Sequence, residues 1–314
     1  MKLSIIVPCK NEEGNVKGIY EKVNNTLKNI KYELIYINDG SDDNTLEVLR
    51  DVYANDMLHV KVLSFSRNFR KEAAMLAGME HASGEYTCII DGDLQQNPKY
   101  LIEMMEFLDN NKDYDEVAMT MSSRKKENKI MVFCKNIFYK LIDSLSDVHF
   151  ENAASDFRMF RTNVKDAIIS LKEKNRFLKG IFSYVGFNIK YLPYEVEERA
   201  SGESSFGFKS SVNYAMDGIL AFSTKPLKIA FGLGIFFLIS SFIFLITMIV
   251  LHLTEVVLFT SLWIIIFLIA FFSSLQFILI GIVGAYIAKM YIEIKNRPVY
   301  LVKEKLGFND ETIL

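Results

Sequence analysis

"YTCIIDGDLQQNP", residues 86 to 98, is an apolar run that breaks into two aspartates one residue apart, Asp91 and Asp93, and then into amides. Such a run reads as a buried strand and its polar ending as the loop that leaves it. Three earlier stretches repeat the pattern at intervals of roughly 25 to 30 residues: "LSIIV" at 3–7, "ELIYI" at 33–37 and "HVKVLSF" at 59–65. Between them, "EGNVKGIYEKVNNTLKN" sets Val16, Ile19, Tyr20, Val23 and Leu27 at helical spacing, and "DNTLEVLRDVYA" follows the capping-type residues Ser41 and Asp42. This alternation predicts an α/β domain, an open and mostly parallel sheet with helices on both faces. Ligands of such sheets sit beyond the carboxyl ends of the strands. Here those ends read "PCKNEE", "NDGSDD", "SRNFRKE" and "DGDLQQ". One polar terminus is ordinarily a solvated loop, but four at the same end of successive strands point to a cleft.

Composition narrows the possibilities. The 36 Lys and Arg against 38 Asp and Glu give a formal charge of -2, which excludes a broad basic surface of the kind that binds nucleic acid. Cys9, Cys88 and Cys134 are far apart and form neither a disulfide framework nor a metal-ligand spacing, and the four histidines are scattered. A reducing, cytoplasmic setting fits. The opening "MKLSIIVPCKNEE" is too short in its apolar run for a signal peptide and reads as a first strand.

Charge nearly vanishes from Leu227 to Ala288. Ile229–Leu251 and Leu262–Ala288 are each long enough to span a bilayer, and Lys225, Lys228, Lys289, Lys295 and Arg297 flank them on the side of the polar domain. The positive-inside rule then predicts a hairpin with both termini in the cytoplasm and a multi-pass location in the cell membrane. "KIMVFCKNIFYKLIDSL" at 129–145 reads as a core helix or a membrane-surface helix, and "FKSSVNYAMDGILAFSTKP" at 208–226 as an interfacial helix stopped by Pro226. The expected domains are 1–206 for the α/β unit, 207–226 for the interfacial helix, and 227–314 for two membrane helices and a cytoplasmic tail.

Two carboxylates as close as Asp91 and Asp93 repel each other unless a cation offsets them. Hard oxygen ligands beside an amide suit Mg2+ or Mn2+. A bare Asp-x-Asp is weak by itself and also occurs in aspartyl-phosphate phosphatases. Context distinguishes the two: the pair follows the fourth strand, and Gln95 stands at the next alternate position. With Pro8, Asn11, Glu12 and Glu13 in a P-x-x-N-E-E pattern and Asp39, Gly40 and Ser41 in a D-G-S pattern, the chain resembles the inverting glycosyltransferases of family two, which have the GT-A fold. Further segments, "LSFSRNFRKEAAMLAGMEHASGEY", "SDFRMF" at 155–160, "RFLKG" at 176–180, "ERASGESSFGFK" at 198–209 and "YIEIKNRPVYLV" at 291–302, look like the polyprenyl-phosphate glycosyltransferases within that family. Departures are Gln96 and Asn97 where relatives often have Asp, Lys10 where many have an aromatic, and Lys125 and Lys126 after Arg124.

The resemblance implies transfer of a sugar from a nucleotide diphosphate sugar to a polyprenyl phosphate, undecaprenyl phosphate in a bacterium, with inversion. UDP-glucose is the expected donor; UDP-N-acetylglucosamine, UDP-galactose and GDP-mannose are alternatives. It also implies a Mg2+ or Mn2+ at Asp91, Asp93 and Gln95, with Asp156 as base or sugar-orienting carboxylate and Asp93 beside it in catalysis. Pro8, Lys10, Glu12, Ile37, Asp39, Gly92, Arg124 and Lys179 would contact the nucleotide sugar. Arg158, Arg199, Ser204 and Lys209 would hold the acceptor phosphate. Asp156 could instead be a helix cap or a partner for Arg158, and the default for Arg67, Arg70 and Lys71 is a solvated loop. Partners implied are the membrane, a flippase, a downstream glycosyltransferase and further copies of the chain. Rival readings are a processive polysaccharide synthase, which would need a Q-x-x-R-W pattern although the single tryptophan, Trp263, lies in a membrane span, and a non-catalytic membrane scaffold.

Overall fold

Four βα units open the chain: β1 (Leu3–Cys9), α1 (Val16–Thr26), β2 (Tyr32–Asn38), α2 (Thr45–Asn55), β3 (Val60–Phe65), α3 (Lys71–His81), β4 (Tyr86–Ile89) and α4 (Lys99–Asn110). There follow β5 (Glu116–Met121), β6 (Ala154–Arg161), α5 (Thr162–Ser170), α6 (Leu178–Tyr184), β7 (Ile189–Tyr194), α7 (Lys225–Leu253), α8 (Ser261–Ile294) and β8 (Val302–Leu306). The computed structural model describes residues 1–121, 154–174, 176–197, 223–254 and 261–308. The helix expected at 129–145 lies outside them, as does most of that expected at 208–226.

All eight strands form one sheet in the order β7-β5-β6-β4-β1-β2-β3-β8. The centre is parallel, β4-β1-β2-β3, as the βα repeat requires. Its strands are apolar on both faces because helices cover both. Leu3, Ile5, Val7 and Tyr36 face α1, α2 and α4, while Ile6, Ile35, Ile37, Leu63 and Ile89 face α3, α5 and α6. On the second face α3 lies unusually close: a Cβ on Gly78 would sit 2.3 Å from Ile6 Cγ2.

Antiparallel strands extend the parallel centre at both edges. β6 runs against β4 with Ile89 opposite Arg158, so its first residues lie at the carboxyl end of the parallel strands. Continuing that register two residues past β4 sets Asp91 opposite Asp156. At the other edge β8 pairs with β3, Leu63 opposite Lys305. The Ser66 amide donates to Leu301 O at 2.9 Å, the Tyr300 ring stacks on Phe65 at 4.9 Å, and Arg50 grips Glu304 through Nε at 3.0 Å and Nη2 at 2.6 Å. Part of the expected tail is therefore an edge strand of the sheet, and the α/β unit is discontinuous in sequence.

α2 begins at Thr45 and its opening turn is held by Asp43, whose carboxylate accepts from the Thr45 amide at 3.0 Å and hydroxyl at 2.6 Å, rather than by Ser41 or Asp42. Pro226 lies in the first turn of α7, where its missing N–H is no loss; it starts a helix instead of ending one. α7 and α8 contain stretches, Lys225–Phe244 and Phe271–Ile294, long and apolar enough to cross a membrane. Many of their described side chains are exposed, Phe231 and Phe277 at 72% and 73%. They pack antiparallel: Phe237 meets Phe271 and Phe272 at 5.9 Å, and Tyr286 Oη donates to Ser223 O at 2.7 Å.

Tyr300→Ala should cost roughly 1–3 kcal/mol by removing a ring stacked on buried Phe65, lowering the melting temperature by on the order of 5 °C. Thermal unfolding of the detergent-solubilised full chain checks this, and an unchanged transition would mean that the segment before β8 does not hold the sheet.

Candidate functional site

The carboxyl ends of β1 and β2 are level, Cys9 opposite Asn38, and the loops beyond them are laced together. The Asn11 amide donates to Ser41 Oγ at 3.0 Å and the Asp42 amide to Asn11 Oδ1 at 2.9 Å. Asn11 has φ 58°, a left-handed conformation that Asn adopts more readily than most residues. Glu12 donates its amide to Thr45 Oγ1 at 2.8 Å, and its carboxylate accepts from Asn15 Nδ2 at 2.6 Å. Lys10 Nζ reaches Gly40 O at 2.5 Å and Asp42 at 2.8 Å. Lys10, Glu12 and Asp39 thus share one wall.

Asp39 is buried, and its Oδ1 accepts from the Phe69 amide at 2.6 Å. Burial pushes its carboxyl above the usual range, with the Phe69 and Arg70 amides offsetting part of the rise. Gly40 has φ 60°, and a Cβ there would lie 2.4 Å from the Arg67 carbonyl carbon. Only glycine lets the D-G-S loop approach the loop after β3 so closely.

That loop ends in Arg70, φ 77°, and delivers Lys71 at the start of α3. The Lys71 ammonium stands between two carboxylates, 2.5 Å from Asp91 Oδ1 and 2.7 Å from Asp156 Oδ2. Burial alone would lower its pKa, but Asp156 and Asp91 outweigh that and hold it above the usual lysine range. For Asp91, burial raises the carboxyl, Lys71 offsets part of the rise, and Asp156 adds to it.

The loop after β4 is folded on itself by the amides that follow the aspartates. Gln96 makes a two-way clasp with Asp91: the Asp91 amide donates to Gln96 Oε1 at 2.9 Å, and Gln96 Nε2 donates to Asp91 Oδ2 at 2.9 Å. Asp93 Oδ1 accepts from the Gln95 amide at 3.1 Å, and Leu94 has φ 62°. A Cβ on Gly92 would sit 2.9 Å from Pro8 O, so Gly92 allows this loop to press against β1. The segment after β7 then closes onto the loop. The Glu197 amide donates to Gln95 O at 3.0 Å, Gln95 Nε2 donates to Glu197 O at 3.3 Å, and Glu197 accepts from Asn97 at 2.5 Å and Lys22 at 2.7 Å.

Among the described residues no three His, Cys, Asp or Glu side chains enclose an ion by themselves. A Mg2+ or Mn2+ held by one or two carboxylates and substrate phosphates needs no such cage. Asp91 and Asp93 offer hard oxygens at the strand ends, and the ammonium already seated at Asp91 shows that the place favours a cation. The residues fit such an ion.

Two expectations need correction. Arg158, expected at an acceptor phosphate, is buried: Nη1 donates to Glu116 at 2.7 Å, Nη2 donates to Ser155 O at 3.3 Å, and the guanidinium lies 4.0 Å from the Phe182 ring centroid. Glu116 is fully buried too, so the cation is needed where it is. Ile37, expected in a pocket wall, is 0% exposed and packs in the core beneath α3. Lys179 lies on α6, and Arg124, Arg199, Ser204 and Lys209 lie outside the described residues. Lys71, taken as a loop residue, is the one that sequence reasoning missed. Its signal was position: it follows β3 at the same edge as the carboxylates.

Residues 4–168 match the family model described as glycosyl transferase family 2. CsbB of Bacillus subtilis, which bears a glycosyltransferase name, is 41% identical over 96% of this chain and 91% of its own length. The SfII prophage-derived bactoprenol glucosyl transferase of Shigella flexneri is 36% identical over 97% of this chain and 98% of its own. Among solved structures, glucosyl-3-phosphoglycerate synthase from Mycobacterium tuberculosis, in complex with Mn2+, uridine diphosphate and phosphoglyceric acid, superposes with a TM-score of 0.50 at 15% identity. That likeness covers 70% of this chain and 76% of the other, and it concerns the fold.

Arg158→Met should destabilise the chain by about 3–5 kcal/mol because it leaves Glu116 charged and unpaired. Arg158→Met with Glu116→Leu should recover most of that loss. Denaturant unfolding of the two variants decides between a structural pair and a ligand-binding arginine, since the latter would not be rescued by the second change.

Proposed function

This chain belongs to glycosyl transferase family 2, and from that premise we propose that it transfers a sugar, glucose from UDP-glucose, to a polyprenyl phosphate such as undecaprenyl phosphate, with inversion. The observation that carries the reading is a carboxylate-lined strand edge in a chain that resembles bactoprenol glucosyl transferase along almost its whole length, apolar helices included. The hairpin supports a site at the membrane surface. The end of α8 is joined to the polar domain by Glu293, which accepts from the Lys174 amide, and by β8 in the sheet, and Ser223 before α7 is bonded to Tyr286 of α8, which supports a domain that shares one side with both ends of the hairpin. Lys225, Lys228 and Lys289 on that side favour the cytoplasmic face.

Asp91 and Asp93, with Gln95 beside them, would hold Mg2+ or Mn2+. Such an ion, when bound, neutralises the donor diphosphate and the charge that grows on it as the glycosidic bond breaks. The protein's own groups do the positioning. Asp39, Glu12 and Lys10 form the wall for base and ribose, held by the bonds between the first two strand-end loops. Asp156 faces the same edge from the antiparallel strand and orients the sugar or acceptor. The attacking phosphate oxygen is anionic near neutral pH, so a strong base is less necessary than for a hydroxyl acceptor. Arg199, Ser204 and Lys209 are proposed for the acceptor phosphate. Glu197, which precedes them in the chain, is bonded to the loop after β4, which supports this reading.

Membranes containing the chain, given labelled UDP-glucose, UDP-N-acetylglucosamine, UDP-galactose and GDP-mannose in turn, should move label from UDP-glucose into the lipid fraction when Mg2+ or Mn2+ is supplied. Asp91→Asn should reduce this on the order of 100-fold or more. Native-rate transfer by that variant, or no lipid label from any donor, would sink the proposal.

A further inference from the structure

Lys71 forms ion pairs with two strand-end carboxylates of the site. Its reach depends on two local features: the left-handed turn at Arg70, and the close seating of α3 on β1 through Gly78. Side-chain exposures of 35% for Lys71, 28% for Asp91 and 22% for Asp156 leave the group accessible to a small ion from solvent.

We propose that Lys71 is an internal counter-cation that holds Asp91 and Asp156 across a gap and yields its place at Asp91 when a divalent ion binds, which makes it a positioning residue for the metal site. The proposal rests on the site assignment above and goes further by setting the affinity for the ion on a residue outside the ligand set. Asp91 is placed among the ligands of the divalent ion. Yet the ammonium occupies Asp91 Oδ1 at 2.5 Å, and two cations cannot share that oxygen without strong mutual repulsion. Lysine suits the exchange because its charge sits on a flexible four-carbon stem and makes no fixed fork. Displaced, the ammonium stays tethered at the edge where the donor diphosphate arrives, able to bind it as a point charge. Without Lys71, no ammonium would compete with the ion at Asp91 Oδ1, and the ion would bind more tightly.

The probe is Mn2+ alone, titrated into the detergent-solubilised full chain without nucleotide and followed by the electron paramagnetic resonance of free Mn2+. Lys71→Met should bind Mn2+ on the order of 10-fold more tightly than the native chain, since a competing charge is gone. Lys71→Arg should bind it no more tightly than the native chain and more weakly if its guanidinium forks across both carboxylates. Native-like binding in Lys71→Met with a native thermal transition overturns the proposal, as does tighter binding in Lys71→Arg. If Lys71→Met does not fold, Lys71→Gln, which also removes the charge, is titrated in its place, and native-like binding in it overturns the proposal. Because no sugar is involved, failure here is separable from failure of lipid labelling by the native chain, which bears on the transferase reading only.

Discussion

Everything at the functional edge follows from the mutual repulsion of carboxylates that the fold gathers in one place. Asp91 and Asp93 leave β4 one residue apart, and the antiparallel register of β6 sets Asp156 opposite Asp91. In a partly buried setting such groups cannot remain charged side by side without a cation between them. The protein meets this with Lys71 and with amides from Gln95 and Gln96. The same need makes the edge a place for a divalent ion and for the phosphates that accompany it. The proposed divalent-ion site and the Lys71 ion pairs are therefore two answers to one electrostatic constraint.

Sheet topology decides which groups meet. The parallel centre brings four loops to its carboxyl end, but a parallel strand alone cannot return a residue to that end except at its own exit. β6 does so by running the other way, so that its entrance, with Asp156, lies where its neighbours leave. β8 has a comparable role at the far edge. It pairs with β3, and Leu301 binds the Ser66 amide at the root of the loop that bears Phe69, Arg70 and Lys71. The end of the apolar hairpin is thus joined by backbone to the loop that presents the counter-cation and caps Asp39.

Much of this was legible in the sequence, because the βα repeat is local. Each of the four apolar runs became a strand, and each polar ending reached the expected edge. The two long apolar helices were equally plain, since loss of charge over such a length has few other meanings. What could not be read depends on pairing between distant residues. Arg158 looks like any cation in "SDFRMF" until β5 places Glu116 against it, 42 residues earlier. Ile37 belongs to an apolar run whose last residue could have faced either pocket or core, and α3 decides for the core. Lys71 sits among polar residues typical of a solvated loop, and its pairing with Asp91 and Asp156, 20 and 85 residues later, is not written in its neighbours. The β8 strand is too short and too charged to announce itself without its partner.

The departures at Gln96 and Asn97 show how one loop satisfies two demands. Gln96 uses both a donor and an acceptor to clasp the amide and the carboxylate of Asp91, which an amide side chain supplies and an ionised aspartate does not. Asn97 must donate to Glu197, whose carboxylate is also paired with Lys22. An ionised aspartate at that position could not donate and would repel Glu197. Since Glu197 also exchanges backbone and side-chain bonds with Gln95, the strand that leads toward the apolar helices is tied to the loop of Asp91 and Asp93 at three points. The choice of amides thus ties the segment after β7 to the loop that carries the carboxylates.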